Sequence, residues 1–519
     1  MNVENNNEVL NKALTLHNQG KLDEADKLYK KILITEPNNF HANHLHGCIL
    51  SQKLNFQESI KYLEKAILIS SSNYEANNNL AIAYKNLKNL DKSKKYFMNA
   101  IEIDNKHYKA HFNLANLYID FKKYDDAIEC LNKTLDCDPN FIDSKQRLGE
   151  VYQYMYQENK SEKFLDLSKS CFEEVIDKDP LYISAYIMLG LSYLWCSNII
   201  KANDLFKKAH KLNHNNSKFI EHNIKKYLSS PESLQTLIEH EFEQLTHIDN
   251  DIDDIRNSKF TKKYYIQLKE MYDNIQTKCF DASKISFEMK KKLFEPLYNK
   301  PINNYKNNII NKRNNIHELE DKYLNKKPEI IVIDNLLNQE SLHDLQKFCR
   351  NANIFKYPYQ NGYVASFLSK GMSNKFFLQL SEDLRITYKR IFKDYKLIQA
   401  WIFKYNNEKL GTRIHADQAS VNVNFWISPD EANLNKNTGG LVIWNQIPPK
   451  EWNFNDYNSL DSSEKMEKIL LDKNVDKIVV PYKENRCVIF NSELFHCTDN
   501  FEFDKAYTNR RINVTLLYD

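Results

Sequence analysis

Three residues near the C-terminal end of the chain have the types and order of a redox-metal ligand set. His415 and Asp417 stand two apart ahead of an apolar run, and His496 closes a later one. Two imidazoles and one carboxylate suit Fe(II), and three protein ligands leave positions open for an oxo-acid and O2. In extended backbone, residues two apart point to the same face, so His415 and Asp417 can converge. Singly, each is more often an ordinary turn or surface residue. The ordered set in strand context is far more specific.

A fourth residue, Arg511, opens a run in which 511, 513 and 515 are polar while Ile512, Val514 and Leu516 are apolar. That alternation describes a strand with one polar face. A guanidinium on such a face can grip a carboxylate through two parallel hydrogen bonds. Arg510 falls on the apolar parity and is expected to reach solvent, although a register slip of one residue would exchange the two.

The elements needed to position these groups are present. Residues 328–337, 399–405, 421–427 and 439–444 resemble strands of one known enzyme family, and residues 339–349 resemble its first supporting helix. Residues 328–519 therefore resemble the double-stranded β-helix (jelly-roll) oxygenases, near the prolyl-4-hydroxylase-like branch. The resemblance implies an Fe(II)- and 2-oxoglutarate-dependent dioxygenase using O2, with ascorbate as an auxiliary reductant. It implies His415, Asp417 and His496 as metal ligands, with no catalytic side chain beyond them, and Arg511 as the co-substrate anchor. It adds Tyr405 and Asn424 as further co-substrate contacts, each of which has an ordinary packing reading too. Asn422, Asn424 and Trp426 would share the inner face of their strand. Gly439 and Gly440 read as turn residues. Hydroxylation is the implied outcome, because Asp417 fills the position a halide would need.

The first 220 residues repeat with a period of 34, the length of a tetratricopeptide helix–turn–helix unit. Small residues recur at Ala13, Gly47, Ala81, Ala115, Gly149 and Gly190, and again at Ala25, Ser59, Ser93, Ala127, Ser168 and Ala202. Large residues follow at Tyr29, Leu63, Phe97, Leu131, Phe172 and Phe206, and a terminating slot holds Pro37, Ser71, Asn105, Pro139, Pro180 and His214. The pattern resembles an α-solenoid of six tetratricopeptide units, with an insertion around 154–163 in the fifth. Small residues let paired helices approach, and the large ones wedge between units. By fold analogy, such an array offers a groove to a protein or peptide.

Residues 221–327 read as a helical connector, with helical spacing over 234–245 and 264–272. Asp249–Asp254 lacks the Gly and closing Glu of a calcium loop, and 303–315 reads as an exposed linker. The segments 357–370 and 430–437 read as loops beside the site. The formal net charge of +3, from 72 basic and 69 acidic residues, gives no electrostatic case for a nucleic-acid partner. No apolar run reaches membrane-spanning length and no signal peptide is seen. The nine scattered cysteines fit a reducing, cytoplasmic setting. Three functional classes follow: a hydroxylase of a protein target recruited by the repeats, an oxygenase of a small molecule, glycan or lipid precursor, and a repeat scaffold carrying an inactive oxygenase-like domain. A basic or acidic pocket rim would point to a small substrate of opposite charge.

Overall fold

The computed structural model describes residues 6–247, 259–296, 302, 309–406, 411–449, 452, 457–458, 463–472 and 475–519. The Asp249–Asp254 run and residues 303–308 lie outside these, and in the rest of the 303–315 linker Ile309 and Ile310 are buried rather than exposed, Ile310 bridging to Leu337. The chain forms two compact units, residues 1–179 and 180–519.

The first unit is five helical hairpins: α1 and α2 (Asn6–Asn18, Leu22–Thr35), α3 and α4 (Phe40–Gln52, Phe56–Ile69), α5 and α6 (Tyr74–Asn86, Leu90–Ile103), α7 and α8 (Tyr108–Asp120, Tyr124–Cys137), α9 and α10 (Ile142–Asn159, Glu162–Lys178). Asparagine begins several helices for a physical reason. Asn39 and Asn73 each accept the N–H three residues on, from Ala42 at 2.9 Å and Ala76 at 2.8 Å, satisfying a donor the helix cannot. The small–large pattern is a contact: a Cβ added to Gly47 would lie 2.7 Å from Leu63 Cγ, and one on Gly149 would lie 2.6 Å from the Phe172 ring. The large residue thus docks on the small one of its own hairpin, while Ala81, Phe97, Ala115 and Leu131 continue one core from hairpin to hairpin. The insertion lengthens both helices of the fifth hairpin, to 18 and 17 residues against 13 and 14 in the fourth.

The sixth hairpin, α11 (Ile183–Trp195) and α12 (Ile199–Asn215), has the repeat's pattern but the second unit's contacts. Trp195 Nε1 donates to the Leu397 carbonyl at 2.8 Å, and Lys396 Nζ donates to the Trp195 carbonyl at 2.9 Å. α12 ends at Asn215, one residue past the His214 slot rather than before it. Helices α13 (Ser217–Tyr227) and α14 (Pro231–His247) follow, and then a helix over Lys259–Gln276.

The remainder is built on two antiparallel sheets. Their strands are β1 (Ile330–Ile333), β2 (Tyr357–Tyr359), β3 (Tyr363–Phe367), β4 (Leu397–Tyr405), β5 (Val421–Trp426), β6 (Leu441–Trp444), β7 (Lys477–Val480), β8 (Cys487–Asn491), β9 (His496–Thr498) and β10 (Ile512–Tyr518). One sheet has the order β1-β8-β5-β10-β4-β3-β2, the other β7-β6-β9. Tyr405, Trp426, Val488 and Phe490 of the first share a core with Leu441, Ile443 and Val480 of the second. The 357–370 segment, read as a loop, is the β2–β3 hairpin: Tyr363, Val364 and Ala365 pair with β4. Among the described residues no helix is long and apolar enough to cross a membrane.

Candidate metal centre

Local chain geometry brings the three predicted ligands together. His415 and His496 form an isolated antiparallel bridge, with N–H···O=C distances of 3.0 and 2.8 Å in the two directions. Directly paired residues carry adjacent side chains, and the two rings stand 4.3 Å apart. Asp417 reaches the same point: its Oδ2 is 3.4 Å from His496 Nε2, and its Oδ1 is 4.0 Å from His415 Nε2. Ligand atoms of all three lie within 4.8 Å of one another.

Hydrogen bonds outside the cluster prepare it for a cation. His415 Nδ1 lies 2.7 Å from the Arg413 carbonyl, and His496 Nδ1 lies 2.8 Å from the Leu494 carbonyl. A carbonyl only accepts, so each ring carries its proton on Nδ1 and turns an Nε2 lone pair to the centre. Asn422 Nδ2 donates to Asp417 Oδ2 at 2.9 Å, fixing the carboxylate. The His415 ring keeps 24 % of its surface open to the cleft but is densely surrounded by protein atoms. That packing, ahead of the His496 charge, pushes its pKa down to about 4. Burial alone would raise Asp417; hydrogen bonding and charge from the two histidines, with the Asn422 bond, outweigh it and leave its pKa lowered. At neutral pH the set is a carboxylate and a neutral imidazole beside His496, the protonation a metal requires.

Behind the cluster, Arg511, Asn513 and Thr515 line one chamber with Tyr405, Asn422 and Asn424, as the alternation in the last strand predicts. Arg511 is 1 % exposed. Its Nε donates to the Gly439 carbonyl at 2.8 Å and its Nη2 to the Gly440 carbonyl at 3.2 Å. The two glycines thus do more than turn the chain, and a Cβ at Gly440 would collide with the Val480 carbonyl. Arg511 Nη1 has no hydrogen-bond partner among the described residues, and the guanidinium carbon lies 4.7 Å from the centre of the Tyr405 ring. Burial lowers its pKa from the ordinary guanidinium value. A buried cation with a free donor end calls for an anion. Arg510 does not reach solvent as expected: it is 3 % exposed, with Nη2 2.7 Å from Glu243 of α14. A helix supplied by the connector captures it.

Sequence reasoning missed Thr412 and Thr498, whose hydroxyls lie 2.8 Å apart beside the Tyr405 hydroxyl, at 3.5 Å from Thr498. It also gave no role to Asn513, whose Oδ1, like those of Asn422 and Asn424, is buried without a partner among the described residues. Polar residues at apolar-strand positions were the available signal. Trp426 lies in the core between the sheets. The segment 430–437, read as a site-side loop, contributes no lining residue to the chamber or to the cleft outside it.

Comparison with known proteins bears on the helical part. Tetratricopeptide-repeat family models match residues 40–73, 74–107 and 108–141, so the hairpins there are tetratricopeptide repeats. No curated protein matches the chain. Similar solved structures include MamA (23 % identity over 32 % of this chain and 94 % of that one, TM-score 0.29). They also include YrrB, a repeat protein with an unusual peptide-binding site (18 % identity, 38 % and 97 % covered, TM-score 0.30). PilF of Pseudomonas aeruginosa is a third (13 % identity, 42 % and 97 % covered, TM-score 0.35).

Proposed function

We propose that the second unit is an Fe(II)- and 2-oxoglutarate-dependent dioxygenase, a hydroxylase, and that its paired sheets form a double-stranded β-helix. The observation that carries this reading is the convergence of His415, Asp417 and His496 with both Nε2 atoms turned inward. Two imidazoles and a carboxylate, with no fourth protein ligand among the described residues, suit an open Fe(II) site better than a closed structural one. Bound there with 2-oxoglutarate, the metal would supply O2-dependent oxidation of an unactivated C–H bond.

The chain's own residues supply position and charge. Asn422 holds the Asp417 carboxylate, and the Arg413 and Leu494 carbonyls hold the imidazole tautomers. Arg511 presents the unbonded end of its guanidinium to the chamber, where it would pair with the distal carboxylate of the co-substrate. Tyr405 stacks on that guanidinium and excludes water from it. The chamber measures about 20 Å³, room for roughly one water. A five-carbon diacid therefore enters only when side chains rotate, and Asn424 and Asn513, whose amide oxygens are unbonded among the described residues, would each give up a bond to Thr515 to do so. The repeats favour a partner-binding role for the first unit, with a protein or peptide as the occupant.

The test is anaerobic Fe(II) and 2-oxoglutarate binding, then succinate release on admitting O2. Wild type should bind both and turn over slowly without substrate. His415→Ala should lose metal binding, and Arg511→Gln should weaken 2-oxoglutarate roughly 10- to 100-fold, the worth of a charge-assisted hydrogen bond. A wild type that binds neither metal nor co-substrate ends the reading and leaves a repeat scaffold.

A further inference from the structure

Outside the metal cluster, a cleft of about 680 Å³ runs from His415 and Asp417 to the surface. Its walls are aromatic: Trp401 and Phe403 of β4, Tyr359, Tyr363 and Phe367 of the β2–β3 hairpin, and Tyr227 of α13. The rings form stacks, Tyr359 on Tyr363 at 4.6 Å and 13°, and Trp401 on Phe403 at 5.9 Å and 25°. Tyr359, Phe367, Trp401 and Phe403 each keep part of their surface exposed. Rings held this way accept another flat face at little entropic cost.

Lys226 and Arg413 line the cleft, and among the described residues the only lining carboxylate is Asp417, which faces the metal cluster. Lys370 stands behind the wall, its Nζ 5.3 Å from the Phe367 ring centre and 5.8 Å from that of Tyr227. Burial, with the nearby Lys226 charge, pulls the Lys370 pKa down to about 8. Lys226 and Lys370 form no salt bridge among the described residues. Burial and the Lys226 charge both disfavour the Lys370 ammonium, and a bound anion would offset them. The volume also falls within the roughly 300–1,000 Å³ usual for small-molecule sites.

We propose that the cleft selects a small anionic substrate with a flat ring. The ring would lie against Trp401, Phe403 and Tyr359, and a phosphate or carboxylate would be held at Lys226 with Lys370 behind it. The proposal names the substrate class of the metal site above. It rests on that reading for the chemistry, while the binding it describes needs no metal.

The experiment measures binding to the full-length protein, without metal, of four probes: 4-nitrophenyl phosphate, 4-nitrobenzoate, 4-nitrobenzylamine and inorganic phosphate. Ligand-observed NMR titration gives the Kd of each. The aromatic anions should bind at least about tenfold more tightly than the amine and than inorganic phosphate, the size of one charge-assisted contact and one stacked ring. A preference between the phosphate and the benzoate tells which anion the site is built for. Lys226→Glu, an exposed change that leaves the core intact, should cost roughly tenfold, and Trp401→Ala a similar factor. Because the titration contains neither metal nor 2-oxoglutarate, a protein that fails the Fe(II) test can still give this result, which separates the two. The proposal is overturned if the amine binds as well as the anions. It is equally overturned if Lys226→Glu has no effect while Arg511→Gln abolishes binding, because the anions would then be occupying the inner chamber. Lys370→Gln should also weaken the anions, and should it fail to fold, the Lys226→Glu result decides alone.

Discussion

The repeat unit and the sheet unit bury their interiors by opposite routes. In the hairpins each core contact joins residues close in sequence: Gly149 meets Phe172 and Gly47 meets Leu63 within one hairpin. In the second unit β10 lies between β4 and β5, and the last strand of the chain thereby completes a site begun by Tyr405 and His415. The repeats have no polar cluster of comparable burial that points at an empty chamber. The sheet unit has Arg511 and three asparagine carbonyls in that state. Periodic local packing makes a scaffold whose parts are interchangeable, whereas long-range pairing can gather unlike residues at one point, which chemistry requires.

Acid should expose this difference most strongly. In α12 the His210 and His214 rings lie 4.4 Å apart, and burial holds their pKa values down to about 4 and about 3, with the His210 charge adding to the effect on His214. Both folded values lie below the ordinary 6.5, so the unfolded chain binds these protons first. Stability is therefore lost as pH falls from 6.5 towards 4, by on the order of 5 kcal/mol for the pair. All five tryptophans lie in the second unit, so tryptophan fluorescence follows that unit alone through urea titrations at pH 7 and 4.5. Replacing both histidines with glutamine should flatten the pH dependence whatever it does to stability at pH 7. An unchanged pH dependence would show that other groups set the acid limit.

The next effect belongs to the repeats. Phe172→Ala empties the space above Gly149 and should cost about 3–5 kcal/mol, seen as earlier loss of far-ultraviolet helical signal. Tryptophan fluorescence and Fe(II) affinity should stay as they are. If they fall with it, the two units do not unfold independently and the contrast drawn above is wrong.

The smaller change sits at the metal. Asn422→Ala removes the hydrogen bond to Asp417 without removing a ligand, and should weaken Fe(II) roughly 10- to 100-fold, measured by anaerobic titration. Asn424→Ala, one strand position pair away and bonded only to Thr515 at 3.3 Å, should leave metal affinity alone and weaken 2-oxoglutarate.

What could be read from residue order divides along the same line. Hairpin boundaries, the small–large pairs and the fifth-unit insertion were legible because each is a local, repeated demand on the chain. The convergence of His415, Asp417 and His496 was legible because few residue types suit a metal and their order is specific, and the face of Arg511 because a strand has a period of two. Arg510 was misjudged because its partner, Glu243, comes from a helix far away in sequence. The β2–β3 hairpin was misread as a loop because Pro358 within β2 and Gln360, Asn361 and Gly362 between its strands all resemble turn chemistry. The Thr412–Thr498 pair was invisible for a similar reason: nothing in either neighbourhood requires the other.

The weakest perturbation asks most of the comparison. Each hairpin turn places one residue in the left-handed region: Gly20 in the first, then Leu54 at φ 61°, Lys88 at 59° and Lys122 at 57°. The residue after it donates back to the helix, as Asn55 does to Leu50, Asn89 to Tyr84 and Lys123 to Tyr118, each at 2.9 Å. This is the helix-ending motif in which glycine is favoured, yet three successive hairpins use a side chain there. A left-handed non-glycine residue costs roughly 1–2 kcal/mol, part of which glycine's greater freedom in the unfolded chain would offset. Leu54→Gly, Lys88→Gly and Lys122→Gly should therefore each stabilise the repeats by about 0.5 kcal/mol, read as a higher urea midpoint in the helical signal. In a quasi-one-dimensional array the three gains should add to within a few tenths of a kcal/mol. Strong non-additivity would mean that neighbouring hairpins adjust to one another, and the repeats would then share the long-range coupling that marks the sheet unit.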